Sequence, residues 1–175
     1  MVAKISEIFQ SIQGEGLYQG QTQVFVRFFG CNLACGYCDT NSESFEEKEL
    51  SHVLSDIASA GRAKIVSLTG GEPLLHWEFV SELSRELAEK GYRLYLETNG
   101  TLPKELVEVI DLIDVVAMDF KLPSSTGLRA YWDEHREFLR YSLRKEVFVK
   151  MVVGANDCAQ DIKIAAELIN QVSSG

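Results

Sequence analysis

The chain has 175 residues, 46% of them hydrophobic and 25% charged. That is the size and composition of one globular domain, able to bury roughly 70% of its unfolded surface without disulfide staples. Seventeen basic against 26 acidic residues give a net charge of −9, which argues against a nucleic-acid or anionic-membrane surface but not against a small local anion site. No apolar run approaches the roughly 20 residues of a membrane span. The start, Met1 to Glu7, has no signal-peptide core and carries an early acid. A cytoplasmic protein is expected, with no membrane and no nucleic acid among its partners.

Strand-like and helix-like segments alternate along the chain. Val2 to Ile12 mixes extended residues and ends at Gly14 and Gly16, and Gln23 to Phe29 reads as a strand rich in Val and Phe. Leu50, Val53, Leu54, Ile57 and Ala58 recur at helical spacing. Ile65 to Leu68 is a short apolar strand ended by Gly70-Gly71; Pro73 can open a helix whose apolar face carries Phe79, Leu83 and Leu87. Tyr92 to Glu97 reads as a strand, Pro103 to Leu112 as a helix, Val115 to Met118 as a buried strand and Pro123 to Gly127 as a loop. Trp132 to Leu143 reads as a helix, Val147 to Val153 as a strand and Ile162 to Val172 as a last helix. Five strand–helix units in succession predict a parallel α/β sheet with right-handed crossovers. The short apolar strands, without clean alternation, suggest a sheet covered on both faces. An open or closed α/β barrel and a doubly wound sheet both fit this pattern.

The unusual residues cluster after the strands. Cys31, Cys35 and Cys38 follow the strand at Gln23–Phe29; Thr69-Gly70-Gly71-Glu72-Pro73, Glu97-Thr98-Asn99-Gly100 and Asp119-Phe120-Lys121 end the next three. In α/β barrels the C-terminal rim is where chemistry is assembled. Cys31-x3-Cys35-x2-Cys38 puts three thiols on one loop flexed by Gly30 and Gly36. Three ligands leave a metal position open, as in an iron–sulfur cluster; a structural zinc normally takes a fourth protein ligand, and a redox pair or plain buried thiols also fit the spacing. Gly70-Gly71 lets a ligand approach the backbone, the helix end behind it offers amide donors, and Glu72 can accept from an ammonium; taken alone, the motif fits a tight turn with a helix-capping acid better.

Together, the cysteine motif and the Gly-Gly-Glu-Pro turn resemble the radical S-adenosylmethionine superfamily. The resemblance implies a [4Fe–4S] cluster on Cys31, Cys35 and Cys38. Its open iron would take the amino and carboxylate groups of S-adenosylmethionine, whose reductive cleavage yields a 5′-deoxyadenosyl radical. It also implies that Gly71 and Glu72 hold the methionine amino group, Tyr37 reaches the adenine, Glu97 approaches the ribose, and Asp119 and Lys121 frame the methionine. Cys38, Asp39 and Phe120 complete the cofactor-binding set. A narrower resemblance is carried by Phe9-Gln10-Ser11-Ile12-Gln13-Gly14-Glu15-Gly16, Phe25-Val26-Arg27 and Cys38-Asp39-Thr40. These are similar to the 7-carboxy-7-deazaguanine synthase family, radical lyases of queuosine biosynthesis. That family contracts the ring of 6-carboxy-5,6,7,8-tetrahydropterin with loss of ammonia, using S-adenosylmethionine catalytically and Mg2+. The resemblance implies that Gln13 and Glu15 bind the pterin edge, with Ile12 and Gly14 beside them. Arg27 would pair with the substrate carboxylate, Thr69 would touch substrate and Thr40 would offer its hydroxyl to Mg2+. An electron donor such as flavodoxin or ferredoxin, and a homodimer, are expected on the same basis.

Elementary chemistry supports part of this assignment. A pterin edge presents adjacent donors and acceptors that a Gln and a Glu match. Arg27, mid-strand between Phe25 and Phe29, needs an anion if it faces inward, and its planar fork suits a carboxylate; outward, its stem would lie on the sheet. His52, His76 and His135 are read as surface or cap residues, Cys158 as an inert thiol, Trp77 and Trp132 as packing residues. Arg136, Arg140 and Arg144, interleaved with Glu134 and Glu137, are read as a solvated helix face. Two other functions share the cysteines: a radical activase of a glycyl-radical enzyme, which would not need the Gln13–Gly16 motif or Arg27, and a non-catalytic metal-binding module. Family members continue with a sixth strand and a tail near the substrate. The expectation is therefore a single domain over 1–175, a partial barrel of about five units shortened at its C-terminus.

Overall fold

The computed structural model describes residues 1–40, 44–154 and 159–174. Strand β1 (Val2–Ile12) pairs antiparallel with β2 (Thr22–Phe28) on one side and with the short β3 (Glu46–Glu49) on the other. From β2 the sheet continues in parallel through β4 (Ile65–Gly70), β5 (Arg93–Thr98), β6 (Val115–Asp119) and β7 (Glu146–Lys150). The order is β3-β1-β2-β4-β5-β6-β7, an open seven-stranded sheet. Helices α1 (Leu50–Ala60), α2 (Trp77–Glu89) and α3 (Pro103–Val109) precede β4, β5 and β6. A short α4 (Pro123–Thr126), then α5 (Trp132–Ser142), lead to β7, and α6 (Ala159–Ser173) follows it.

Parallel strands taken in sequence order, with crossovers of one hand, put their helices on one face. A doubly wound sheet, which reverses direction and covers both faces, is thereby excluded, and the partial barrel of five βα units stands. The side chains follow the pleat. Val24, Val26, Phe28, Val66, Leu68, Leu94, Leu96, Val116 and Met118 point toward the helices and form the main core with Phe79, Leu83, Leu106 and Phe138. Each such side chain, taken wholly out of water, contributes about 1.5–3 kcal/mol. The intervening residues face the other way. There Tyr18, Tyr95, Val115 and Ala117, with Ile65 and Phe148 packed on them, form a small second cluster. The alternation expected to be missing is therefore present, and among the described residues the inner-face cluster includes no α-helical side chain.

Several elements depart from the expected boundaries. β3 consists of Glu-Glu-Lys-Glu and has no apolar face; it forms because the β1 edge accepts it, with Lys48 bonded to Asp56 of α1 at 2.9 Å. β7 ends at Lys150 and, among the described residues, pairs with β6 alone; Val152 and Val153 beyond it are exposed. The expected loop at Pro123–Gly127 contains α4, stopped by Gly127 in the left-handed region (φ 73°). His135, expected at the surface, is fully buried on α5, its ring centroid 4.3 Å from that of Phe120. Trp77 and Trp132 pack against the main core, as read. Arg136 pairs with Asp133 and Arg144 with Asp111 at the surface. Cys158 lies outside the described residues.

Candidate active site

The C-terminal ends of all five parallel strands and the cysteine loop surround one cavity of about 640 Å³. All three cysteines line it as free thiols: Cys31 and Cys38 exposed, Cys35 half-buried. Their loop is held by backbone and amide contacts. Gly36 N donates to Thr126 O (2.9 Å), Cys38 N to Cys35 O (3.1 Å) and Leu33 N to Cys31 Sγ (3.4 Å). Asn99 Nδ2 donates to Asn32 Oδ1 (2.8 Å), and Asn32 Nδ2 donates to Thr101 Oγ1 (2.9 Å), tying the loop to the end of β5. Burial pushes the Cys31 and Cys35 thiols up, with Lys121 opposing the rise at Cys35. Among the described residues, no three His, Cys, Asp or Glu side chains come together around a single ion.

Gly70 is required by the β2 backbone, where a Cβ would lie 2.2 Å from Phe28 O, and Gly71 by the cysteine loop, where a Cβ would lie 2.0 Å from Gly30 O and 3.1 Å from Cys31 Cβ. Gly71 N donates to Phe28 O (3.1 Å) and Glu72 N to Gly30 O (2.8 Å), which fixes the two strand ends side by side. Glu72 needs a correction. Its carboxylate is fully buried and accepts from Leu74 N (3.1 Å), Thr98 Oγ1 (2.9 Å) and Asn99 N (2.8 Å). It caps the 3-10 turn at Pro73–His76 and does not line the cavity, whereas Gly70 and Gly71 do. The amide donors expected at this helix end are used by Glu72 itself. Burial pushes its pKa up to about 7 against the pull of those hydrogen bonds. Phe120 is likewise corrected: it is fully buried among Trp132 and His135 and takes no part in the cavity wall.

Glu97 is the hub of the inner face. It accepts from Gln13 Nε2 (2.7 Å), Ser67 Oγ (3.1 Å) and Thr69 Oγ1 (3.0 Å), and it lines both the main cavity and an adjoining hollow of about 230 Å³. Gln13 is buried and spends its amide on Glu97 and, as acceptor, on Glu15 N (3.2 Å). It shapes the loop after β1, while Ile12 and Gly14 line the hollow beside it. Glu15 lines the main cavity, paired with Lys150. Arg27 lines both spaces; its Nε donates to Glu7 Oε1 (2.6 Å), and its guanidinium lies over Phe9 at 5.8 Å. It faces inward, with fork nitrogens beyond the one that Glu7 engages.

On the cysteine side, Lys121 Nζ donates to Asp119 Oδ2 (2.9 Å) and Tyr37 OH (3.2 Å). Burial pushes the Lys121 ammonium down, and Asp119 and Tyr37 outweigh it, so the net shift is upward. Burial raises the Tyr37 phenol. A pair only 14% and 13% exposed gains little net stability, because desolvation offsets the attraction. Asp119 Oδ1 is buried with no hydrogen-bond partner. Asp39 and Thr40 also line the cavity, Thr40 Oγ1 donating to Asp39 Oδ1 at 3.2 Å.

The family model of the radical SAM superfamily matches residues 25–169. A 7-carboxy-7-deazaguanine synthase of Geobacter sulfurreducens is 35% identical over 195 residues, covering 98% of this chain and 78% of that protein. One of Archaeoglobus fulgidus is 37% identical over 190 residues, covering 98% and 81%. The chain belongs to the 7-carboxy-7-deazaguanine synthase family of radical SAM proteins. The crystal structure of QueE from Escherichia coli superposes with a TM-score of 0.70 at 22% identity, covering 97% of this chain and 78% of that one, a likeness of fold.

Membership implies a [4Fe–4S] cluster and S-adenosylmethionine, and the residues present fit both. Three free thiols share one wall. Beside them, the orphaned Asp119 Oδ1 is an acceptor that is costly to leave unmet, by about 1–3 kcal/mol, and Lys121 is a cation held ready. An amino-acid ligand carries the matching ammonium and carboxylate. Among the wall residues that the motif reading left without a role are Asn99 and Lys150. Asn99 is hidden in a strand-ending Asn-Gly, and Lys150 is a lone cation after the run Val147-Phe148-Val149.

Proposed function

We propose that this chain is a 7-carboxy-7-deazaguanine synthase, rearranging 6-carboxy-5,6,7,8-tetrahydropterin to 7-carboxy-7-deazaguanine with release of ammonia. The observation that carries the reading is one cavity walled on one side by three free cysteines and on the other by Arg27, Thr69 and Glu97. When bound, the cluster and S-adenosylmethionine supply the radical that starts the rearrangement.

The chain's own part is to hold and orient. Cys31, Cys35 and Cys38 hold the cluster. Asp119 and Lys121 take the amino-acid end of S-adenosylmethionine, and Tyr37 its adenine side. Glu97 approaches the ribose of S-adenosylmethionine, Glu15 is an acceptor for ring N–H groups of the pterin, and the fork of Arg27 meets the substrate carboxylate. Thr40 offers a hydroxyl to Mg2+, which otherwise keeps waters and substrate oxygens. Cys31 and Cys38, exposed, lie where a small electron-transfer protein such as flavodoxin or ferredoxin can reach. A cytoplasmic homodimer completes the proposal by family likeness.

The test is an anaerobic incubation of iron- and sulfide-reconstituted protein with reductant, S-adenosylmethionine, Mg2+ and the carboxypterin. Substrate-dependent deazaguanine formation is expected. Deoxyadenosine released without any deazaguanine would contradict the reading.

A further inference from the structure

The loop joining β1 to β2 crosses the open inner face and docks on β7. Gly16 sits so tightly there that a Cβ would lie 2.5 Å from the Phe148 ring. Tyr18 OH donates to Glu146 (3.0 Å), which also accepts from Arg93 (2.7 Å). Above these contacts, at the cavity, Lys150 of β7 pairs with Glu15 of the loop.

Lys150 is placed oddly for a residue that only fastens this loop. In register across β6 and β7 it sits beside Asp119, on the same face, yet Asp119 is paired with Lys121. Lys150 reaches the other way, to the pterin side, and lines the cavity that Arg27 lines. An ammonium has three N–H donors and Glu15 takes one. Tyr18, Glu146 and Phe148 already dock the loop below, without a charge in the cavity. A lysine whose ammonium stands in the cavity with donors to spare is a binder of anions.

We infer that Lys150 is a specificity-determining residue that contacts the substrate carboxylate together with Arg27, while Glu15 aims it. This rests on the proposed pterin reaction. Arg27 and Lys150 line one cavity from β2 and β7, the first and last parallel strands, so a carboxylate that engages both is fixed from two sides and a pterin lacking it is rejected. A compact point charge complements the planar fork of Arg27.

The test is calorimetric binding to cluster-loaded protein with S-adenosylmethionine and Mg2+ but no reductant, so that nothing turns over. Two ligands are titrated: the carboxypterin and the same tetrahydropterin without its carboxylate. Lys150→Met should bind the carboxypterin about 10–100-fold more weakly, the range of one lost charge-assisted bond. It should bind the carboxylate-free ligand within about twofold of the wild type, and Lys150→Arg should recover most of the loss. Equal weakening of both ligands would reduce Lys150 to a loop fastener, and no weakening of either would overturn the inference outright. A wild-type protein that fails to bind the carboxypterin would instead remove the pterin reading on which the inference rests.

Discussion

The two faces of one sheet divide the work of this protein. Toward the helices, β4, β5 and β6 present Val66, Leu68, Leu94, Leu96, Val116 and Met118, all fully buried. Away from them, the same strands present Ser67, Thr69, Tyr95, Glu97, Ala117 and Asp119, and the polar members converge on a hydrogen-bonded rim. A one-residue step along a strand therefore moves a side chain from stability to chemistry. Barrel-like folds concentrate function at strand ends because there the pleat still fixes each side chain while the backbone has stopped shielding it.

The largest break in that comparison comes from the cysteine loop, which belongs to neither face. Cys35→Ser should abolish product formation and the bound iron, while the thermal unfolding midpoint of the metal-free protein stays within a few degrees, because the loop adds nothing to the main core. Neighbouring residues of β5 then sharpen the division. Leu96→Ala should cost about 2–5 kcal/mol in urea unfolding through its cavity. Glu97→Gln should change stability by only about 1 kcal/mol yet lower the rate by about 100-fold, since it upsets the acceptor that Gln13, Ser67 and Thr69 share. Similar rates for the two variants would remove the division.

The pH dependence of stability probes two buried groups behind the rim. Glu72 has a folded pKa of about 7, above the ordinary 4.5, so its contribution is full below pH 4.5 and is lost as pH rises through 7. His135 is pushed down to about 4 by burial, so its contribution is present above pH 6.5 and is lost as pH falls through 4. Urea midpoints of metal-free protein should therefore peak near pH 5–6. In Glu72→Gln the fall above pH 6.5 should disappear, leaving only the His135 rise from pH 4 to a plateau above pH 6.5. The smallest effect belongs to the outer helix surface. Arg140→Ala should stay within about 0.5 kcal/mol of the parent and leave turnover unchanged.

What could be read from the residues alone was what is local. The cysteine spacing and the Gly-Gly-Glu-Pro turn announce themselves within eight residues and five, and the five βα units follow from periodicity. What could not be read depends on distant partners. Glu72 became a cap because Thr98 and Asn99, 26 and 27 residues away, supply donors to it. Gln13 turned inward because Glu97, 84 residues on, accepts from it. β3 has no pattern of its own and exists because β1 offers an edge. The inner-face alternation was present in Ser67-x-Thr69 and Tyr95-x-Glu97, but strands this short carry too few repeats to separate one covered face from two.

The central claim is that three thiols on this rim hold a cluster with one iron left for S-adenosylmethionine. Electron paramagnetic resonance of the reduced, anaerobically reconstituted protein tests it most directly, alongside iron and sulfide content. The account predicts about four irons and four sulfides per chain and a cubane signal whose g-values move when S-adenosylmethionine is added. Zinc in place of iron, or a cluster signal indifferent to S-adenosylmethionine, would contradict it.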